Sequence, residues 1–122
     1  MELIDEIEEL IMMHQEGPYW DFKREWYDDS KDGDLLIDII CMANNLVDRD
    51  AYIIIGVNEE CDYAIQDVSQ DANRRNTQML TDFIRGKKFA GDFRPVVTVE
   101  QVHLDGGLVD VIVVHNLSLI HI

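Results

Sequence analysis

The sequence predicts an α+β domain in which a small mixed sheet packs with about three helices and ends in a β-hairpin. Three observations predict this class. Apolar residues recur at helical spacing in three segments, a short β-branched run occupies 51–57, and two β-branched stretches flank Asp105-Gly106-Gly107. With 122 residues, the chain is long enough for one domain with a substantial core, but not for two.

The helical segments differ in how much of their surface is apolar. The first begins near Leu3, has acidic residues between its apolar positions, and ends by the Gly17-Pro18 pair. The second, 35–45, is apolar nearly all round, so we expect it to be buried in the middle of the domain. The third spans 75–85 and is followed by Gly86, a residue typical of helix ends.

The strands are indicated by alternation and by β-branched runs. From 19 to 26 the pattern has period two, which predicts Trp20, Phe22 and Trp26 on an apolar face and Asp21 and Lys23 on the opposite face. The run at 51–57 is typical of a strand covered on both sides. Further strands are expected at 63–65, 96–104 and 108–114.

Composition restricts the cellular setting that we expect. No run of 18 apolar residues is present, so no membrane-spanning helix is predicted, and the acidic first residues are unlike a signal peptide. Cys41 and Cys61 form no CxxC pair, which argues against a zinc site or a disulfide framework. A cytoplasmic protein without membrane contact is therefore expected.

The distribution of charge is uneven. The formal net charge is −15, which opposes nucleic-acid binding as a default. Between Arg74 and Arg94, however, six basic and two acidic residues give a local net charge of +4. This asymmetry is compatible with a phosphate-binding patch, and equally with a solvated helix end whose cations suit the helix dipole.

Three carboxylates and a lysine are candidates for chemistry. Asp21 and Lys23 share the polar face of the first strand, Glu16 precedes that strand, and Glu59 follows the buried strand. Convergent carboxylates are what Mg²⁺ or Mn²⁺ requires, and a lysine beside them would balance charge on a phosphate. In a chain with 25 acidic residues, some also fall at strand ends by chance.

Three short motifs follow one another along the chain: Glu16-x-x-x-x-Asp21-Phe22-Lys23, Ala43-Asn44-Asn45 and Ile54-Ile55-Gly56-Val57-Asn58-Glu59. In order and spacing they resemble the motifs of the Schlafen AlbA-like domain, and the resemblance covers about 10–116. It implies a DNA-binding module of bacterial proteins, N-terminal to helicase-like, ATPase-related or winged-helix regions. In animal Schlafen nucleases the matching carboxylates support cleavage of structured RNA, and by position they are Glu16, Asp21 and Glu59, with Lys23 beside them.

Departures from the family pattern lead us to favour binding over cleavage. Asp21 replaces the usual glutamate, Asn58 stands before Glu59, and 45–51 replace a glycine pair. The preferred interpretation is a nucleic-acid-binding accessory domain of a bacterial regulatory or defence protein, not an enzyme on its own. The alternatives are a divalent-metal-dependent nuclease for structured RNA and a protein-interaction module. Phosphate contacts are expected from the basic residues Arg49, Arg74, Arg75, Arg85, Lys87 and Lys88.

The last six residues, 117–122, resemble the translation of a transposon-derived sequencing adapter. We expect them to be an artefact and leave them out of the functional argument. The domain would then be 1–116, the N-terminal part of a longer protein whose further domains follow.

Overall fold

A computed structural model describes residues 2–87 and 94–116 of the chain. Its centre is a four-stranded mixed sheet with the order β1-β2-β6-β5, and a two-stranded ribbon, β3-β4, lies beside it. The strands are β1 (Trp20–Lys23), β2 (Ala51–Ile55), β3 (Val57–Asn58), β4 (Ala64–Ile65), β5 (Val97–Leu104) and β6 (Gly107–Val114). The helices are α1 (Leu3–Met12), α2 (Asp32–Ala43) and α3 (Thr77–Arg85). The predicted α+β class and the C-terminal hairpin are therefore confirmed.

The direction of the strands places the end of β1 beside the end of β2. These two strands run parallel, with Asp21 opposite Ile53 and Lys23 opposite Ile55. The other neighbours in the sheet, β2–β6 and β6–β5, are antiparallel. Segments that follow β1 and β2 consequently leave the sheet at the same edge.

Helices cover both faces of the sheet and divide the apolar core in two. On one face, Ile7 and Leu10 of α1 pack against β1. The same core includes the side chains of β2 and β6 that point to this face. On the other face, α2 and α3 pack against the alternate residues of β2 and β6. Because β2 is buried on both sides, its five residues are all apolar or aromatic, as expected for a central strand.

Two sequence-based expectations were wrong. Trp26 does not share a face with Trp20 and Phe22, because β1 ends at Lys23 and the alternation stops there; Trp26 packs in the opposite core. Helix α2 is also not buried all round. Only one side of it lies on the sheet, so Leu35 and Ile39 are buried whereas Ile37 is 58% exposed.

The remaining differences concern element ends. The strand predicted at 51–57 is divided at Gly56, whose φ of +116° ends β2 and redirects the chain into β3. Within 2–87 and 94–116, no helix has both the length and the apolar character needed to cross a membrane. The predicted artefact at 117–122 lies outside the described residues.

Candidate functional site

Three carboxylates from separate segments converge at the edge of the sheet. Glu16 lies in the turn between α1 and β1, Asp21 in β1, and Glu59 in the 3-10 turn after β3. One oxygen from each carboxylate lies within 4.8 Å of the other two. The predicted grouping of Glu16, Asp21 and Glu59, hereafter the carboxylate cluster, is therefore present in the structure.

Packing around Trp20 positions Glu16 and Asp21. The Trp20 indole N–H donates to the Gln15 carbonyl at 2.8 Å, and the Gly17 N–H donates to the Trp20 carbonyl at 3.2 Å. Gly17 lies so close to the Trp20 ring that an added Cβ would be 2.1 Å from it. The turn carrying Glu16 is thus held against β1, on which Asp21 points away from the buried Trp20 and Phe22.

A strained turn positions Glu59. The Asn58 side chain accepts a hydrogen bond from the Glu60 N–H at 3.1 Å, which starts the 3-10 turn. Asp62 and Tyr63 then both take left-handed φ angles near +57° and +58°. Such conformations are uncommon for residues other than glycine and tend to occur at functional sites.

Aromatic contacts join the Glu59 turn to the Glu16 turn. The Tyr63 ring stacks on His14 with centroids 4.7 Å apart and meets Phe22 edge-on at 5.4 Å. His14 itself has a left-handed φ of 52°. The same aromatic group therefore ties together the segments that carry all three carboxylates.

The ionisation of Asp21 reflects this crowding. Burial and the nearby Glu16 carboxyl raise the pKa of Asp21 from 3.8 to about 6, against the opposing effect of Lys23. Like charges held together disfavour ionisation, whereas a cation placed between them would favour it. The cluster is therefore electrostatically suited to a cation.

The spacing of the three oxygens is close to what a hard divalent cation requires. Mg²⁺ binds oxygen ligands at about 2.1 Å, so two of its ligands are separated by at most about 4.2 Å, and Ca²⁺ allows slightly more. The observed limit of 4.8 Å needs only small side-chain movements to reach these separations. The carboxylate cluster is accordingly a candidate site for Mg²⁺ or Mn²⁺.

Lys23 is fixed between two carboxylates. Its Nζ lies 3.6 Å from Asp21 Oδ2 and 3.3 Å from Asp38 Oδ2. Burial opposes its protonation, but Asp21 and Asp38 outweigh that effect and raise the pKa of Lys23. The lysine therefore carries its charge directly beside the carboxylate cluster.

Asp38 and Tyr27 were not identified from the sequence. The Tyr27 hydroxyl donates to Asp38 Oδ2 at 2.6 Å, which holds that carboxylate against Lys23. Asp34 and Asp38 are one helical turn apart in an otherwise apolar stretch of α2. Two acidic residues at that spacing in an apolar helix were the sequence feature that could have identified Asp38.

Three of the six basic residues proposed as phosphate contacts are held in ion pairs with distant segments. Arg74 makes two hydrogen bonds to the buried Asp110, at 2.9 and 3.0 Å. Arg75 is 11% exposed and bonds Asp32 at 2.6 Å. Arg49 pairs with Glu6 at 2.5 Å and lies 4.0 Å from the centre of the Tyr19 ring.

Of the remaining basic candidates, Arg85 is the last residue of α3 and Lys87 follows it. Arg85 is 65% exposed and 3.3 Å from Asp82, one turn earlier. Lys87 lies over the Phe83 ring, with its Nζ 4.8 Å from the ring centre. Lys88 is outside the described residues.

Comparison with protein families gives a match over most of the chain. The sequence model described as "Schlafen, AlbA_2" matches residues 16–121, a range that contains all three carboxylates and Lys23. Comparison with curated proteins and with solved structures found no significant match. Because the family match covers most of the chain and agrees with the motifs at 16–23, 43–45 and 54–59, the chain belongs to the Schlafen AlbA_2 family, a nucleic-acid-related group of domains.

Proposed function

We propose that this domain is a divalent-metal-dependent nuclease that acts on structured RNA. The observation that carries the proposal is the convergence of Glu16 and Asp21, which are neighbours in sequence, with the distant Glu59 to within 4.8 Å. This convergence supports cleavage over the binding role that the family departures favoured. Asp21 is one methylene shorter than the usual glutamate, yet its carboxylate still reaches the other two.

The proposed cleavage assigns different roles to the carboxylates and to Lys23. Glu16, Asp21 and Glu59 would hold Mg²⁺ or Mn²⁺, which when bound lowers the pKa of a coordinated water and neutralises phosphodiester charge. Lys23 would donate a hydrogen bond to a non-bridging phosphate oxygen, because its charged Nζ lies beside Asp21. Asp38 would keep that ammonium group in place between turnovers.

A non-cleaving role in nucleic-acid binding is the second candidate. In it, the chain is an accessory domain of a larger bacterial regulatory or defence protein, and phosphates are contacted by the basic residues of 74–88 and Arg49. The exposure of Arg85 supports this candidate, because its guanidinium is open to solvent. The ion pairs of Arg49, Arg74 and Arg75 weaken it, because contacts to phosphate would have to replace them.

Neighbouring glutamates provide a matched test of the metal site. Glu59 belongs to the carboxylate cluster, whereas Glu60 is an exposed residue of the same turn outside it. At a Mn²⁺ concentration tenfold above Kd, we expect the melting temperature to rise by about 5 °C in the wild type and in Glu60→Gln. Glu59→Gln should abolish the rise.

Cleavage is then measured on an RNA hairpin with the same three proteins. The nuclease proposal requires Mn²⁺-dependent cleavage by the wild type and Glu60→Gln, and its loss in Glu59→Gln. RNA binding without cleavage in any of them would reject the nuclease and favour the second candidate. An equal Mn²⁺ response in Glu59→Gln and the wild type would reject the carboxylate cluster as the metal site.

A further inference from the structure

A cavity of about 400 Å³ opens between the end of β1 and α2. Its walls include Lys23, Arg24 and Lys31, so three of the ten basic residues in the sequence border this one space. The wall also includes Glu25, Asp34 and Asp38, so its formal charge is zero, which is a local exception in a chain with a net charge of −15. We call this space the Arg24 cavity.

The Arg24 cavity is contiguous with the carboxylate cluster through two side chains. Lys23 borders the cavity and also contacts Asp21 of the cluster. Arg24 borders both the cavity and a smaller depression of about 220 Å³ that is lined by Glu59. A strand lying at the cluster could therefore pass along Arg24 into the cavity.

The cations of the cavity differ in how firmly they are bound. Lys23 is held by Asp21 and Asp38, as described above. Arg24, by contrast, is 55% exposed and lies 3.7 Å from the exposed Glu25. An exposed pair of this kind contributes little, so the guanidinium can exchange it for a phosphate, to which it offers two parallel donors.

The acidic residues of the cavity wall are unequal as well. Asp38 accepts a hydrogen bond from Tyr27 and is paired with Lys23, and Glu25 is paired with Arg24. Asp34 is an exposed residue of the same wall. Asp34 is therefore the carboxylate whose removal should make the cavity more attractive to an anion.

We propose that the Arg24 cavity binds the phosphate and sugar of a nucleotide that flanks the phosphodiester at the carboxylate cluster, with Arg24 and Lys31 contacting the phosphate. The proposal rests on the proposed function in placing a nucleic-acid strand at the cluster. The volume of the Arg24 cavity is within the range of pockets that hold small ligands, about 300–1,000 Å³. The cavity would allow the domain to bind an anionic strand although the surface of the domain is acidic.

Arg85 provides a matched control for Arg24. Both are exposed arginines, and each lies within 4 Å of one acidic neighbour, Glu25 or Asp82. Binding is measured with a fluorescein-labelled RNA hairpin carrying a single-stranded overhang, in a Glu59→Gln background that keeps the RNA intact. We expect Arg24→Ala to weaken affinity by about fivefold or more and to reduce the salt slope by about 1.

Two comparisons decide the proposal. Arg24→Ala should lose more affinity than Arg85→Ala, and Asp34→Asn should raise affinity about twofold by removing a like charge from the cavity wall. A loss in Arg85→Ala as large as in Arg24→Ala, or no gain in Asp34→Asn, would overturn it. In an otherwise wild-type background, Arg24→Ala should keep the full Mn²⁺-induced rise in melting temperature. If Mn²⁺ does not raise the melting temperature of the wild type, the metal site is rejected. The cavity is then still tested by the RNA affinities of the Arg24, Arg85 and Asp34 variants.

Discussion

At the scale of single residues, the buried Asp110 determines the role of one of the few basic residues, Arg74. The Asp110 side chain in β6 is 1% exposed, and its carboxylate accepts hydrogen bonds from Trp26 Nε1 at 2.8 Å and from Arg74 Nε and Nη2 at 2.9 and 3.0 Å. A buried carboxylate is tolerated only with such partners. Arg74 is therefore first of all a structural residue, whatever else it contacts.

We predict that Arg74→Ala destabilises the protein by about 3 kcal/mol, because it leaves the Asp110 charge buried with one hydrogen bond from Trp26. Arg85→Ala should change the free energy of unfolding by less than about 0.5 kcal/mol, as is usual for exposed positions. Urea denaturation measures both. An Arg74→Ala protein that is as stable as the wild type but binds RNA less tightly would restore Arg74 as a phosphate contact.

Asp21 gives a second prediction at this scale, for the metal-free protein. Because burial and Glu16 raise its pKa from 3.8 to about 6, its neutral form is favoured in the folded state. The stability it contributes is complete below pH 4 and is lost as the pH rises through 6. Asp21→Asn should therefore stabilise the protein by about 1–2 kcal/mol at pH 8, a range reduced for partial exposure, and should have no such effect at pH 4.

Thermal denaturation in EDTA at the two pH values tests this expectation. Glu60→Gln is the comparison, because Glu60 is exposed in the turn next to the cluster. A gain in stability from Asp21→Asn that is equal at pH 4 and pH 8 would show that Asp21 titrates normally. Mn²⁺ should bind more tightly as the pH rises through about 6, because the cation competes with the Asp21 proton.

At the scale of secondary-structure elements, the junction between β2 and β3 brings Glu59 to the site. Gly56 has a φ of +116°; its N–H donates to the Lys23 carbonyl at 2.7 Å, and its carbonyl accepts from the Gln66 N–H at 2.7 Å. A Cβ at this position would lie 3.1 Å from the Gln66 carbonyl oxygen and from the Val109 and Val68 side chains. The positive φ favours glycine, and the surrounding atoms leave only a tight fit for a Cβ.

We expect Gly56→Ala to destabilise the protein by about 2 kcal/mol and to weaken the Mn²⁺-induced rise in melting temperature, because it strains the segment leading to Glu59. Gly33→Ala is the control. Gly33 lies in α2 with no atom within 4 Å of an added Cβ, so alanine there should be neutral or stabilise by up to about 1 kcal/mol. Similar melting temperatures for the two variants would contradict the role given to Gly56.

The elements were largely predictable, whereas several of their contacts were not. Apolar spacing indicated α1, α3 and the β5–β6 hairpin, because periodicity is a local property that burial of one face imposes. The family motifs also identified the three carboxylates that converge. Two ion pairs, Arg74–Asp110 and Lys23–Asp38, join segments that are separated in sequence. A pattern of neighbouring residues therefore could not predict them. Trp26 was assigned to the wrong face because alternation was extended beyond the end of β1.

At the scale of the whole molecule, acidic residues exceed basic ones by 25 to 10. Several of the basic side chains connect distant parts of the chain: Arg49 pairs with Glu6, Arg74 with Asp110 and Arg75 with Asp32. These pairs neutralise charge inside the fold and leave much of the surface acidic. A nucleic acid can then approach favourably only where local cations, bound metal or both offset that surface.

This charge balance leads to opposite salt effects on stability and on binding. Raising NaCl from about 20 to 300 mM should increase the melting temperature of the metal-free protein, because salt screens repulsion among exposed carboxylates more than it weakens partly buried pairs. The same change should weaken RNA binding, because phosphate contacts release counterions. Mn²⁺ at matched ionic strength should add a further rise in the wild type and none in Glu59→Gln, since only specific binding depends on the carboxylate cluster. A melting temperature that falls with NaCl would show that ion pairs such as Arg49–Glu6 outweigh the repulsion, and the acidic surface would then not be the obstacle that the Arg24 cavity overcomes.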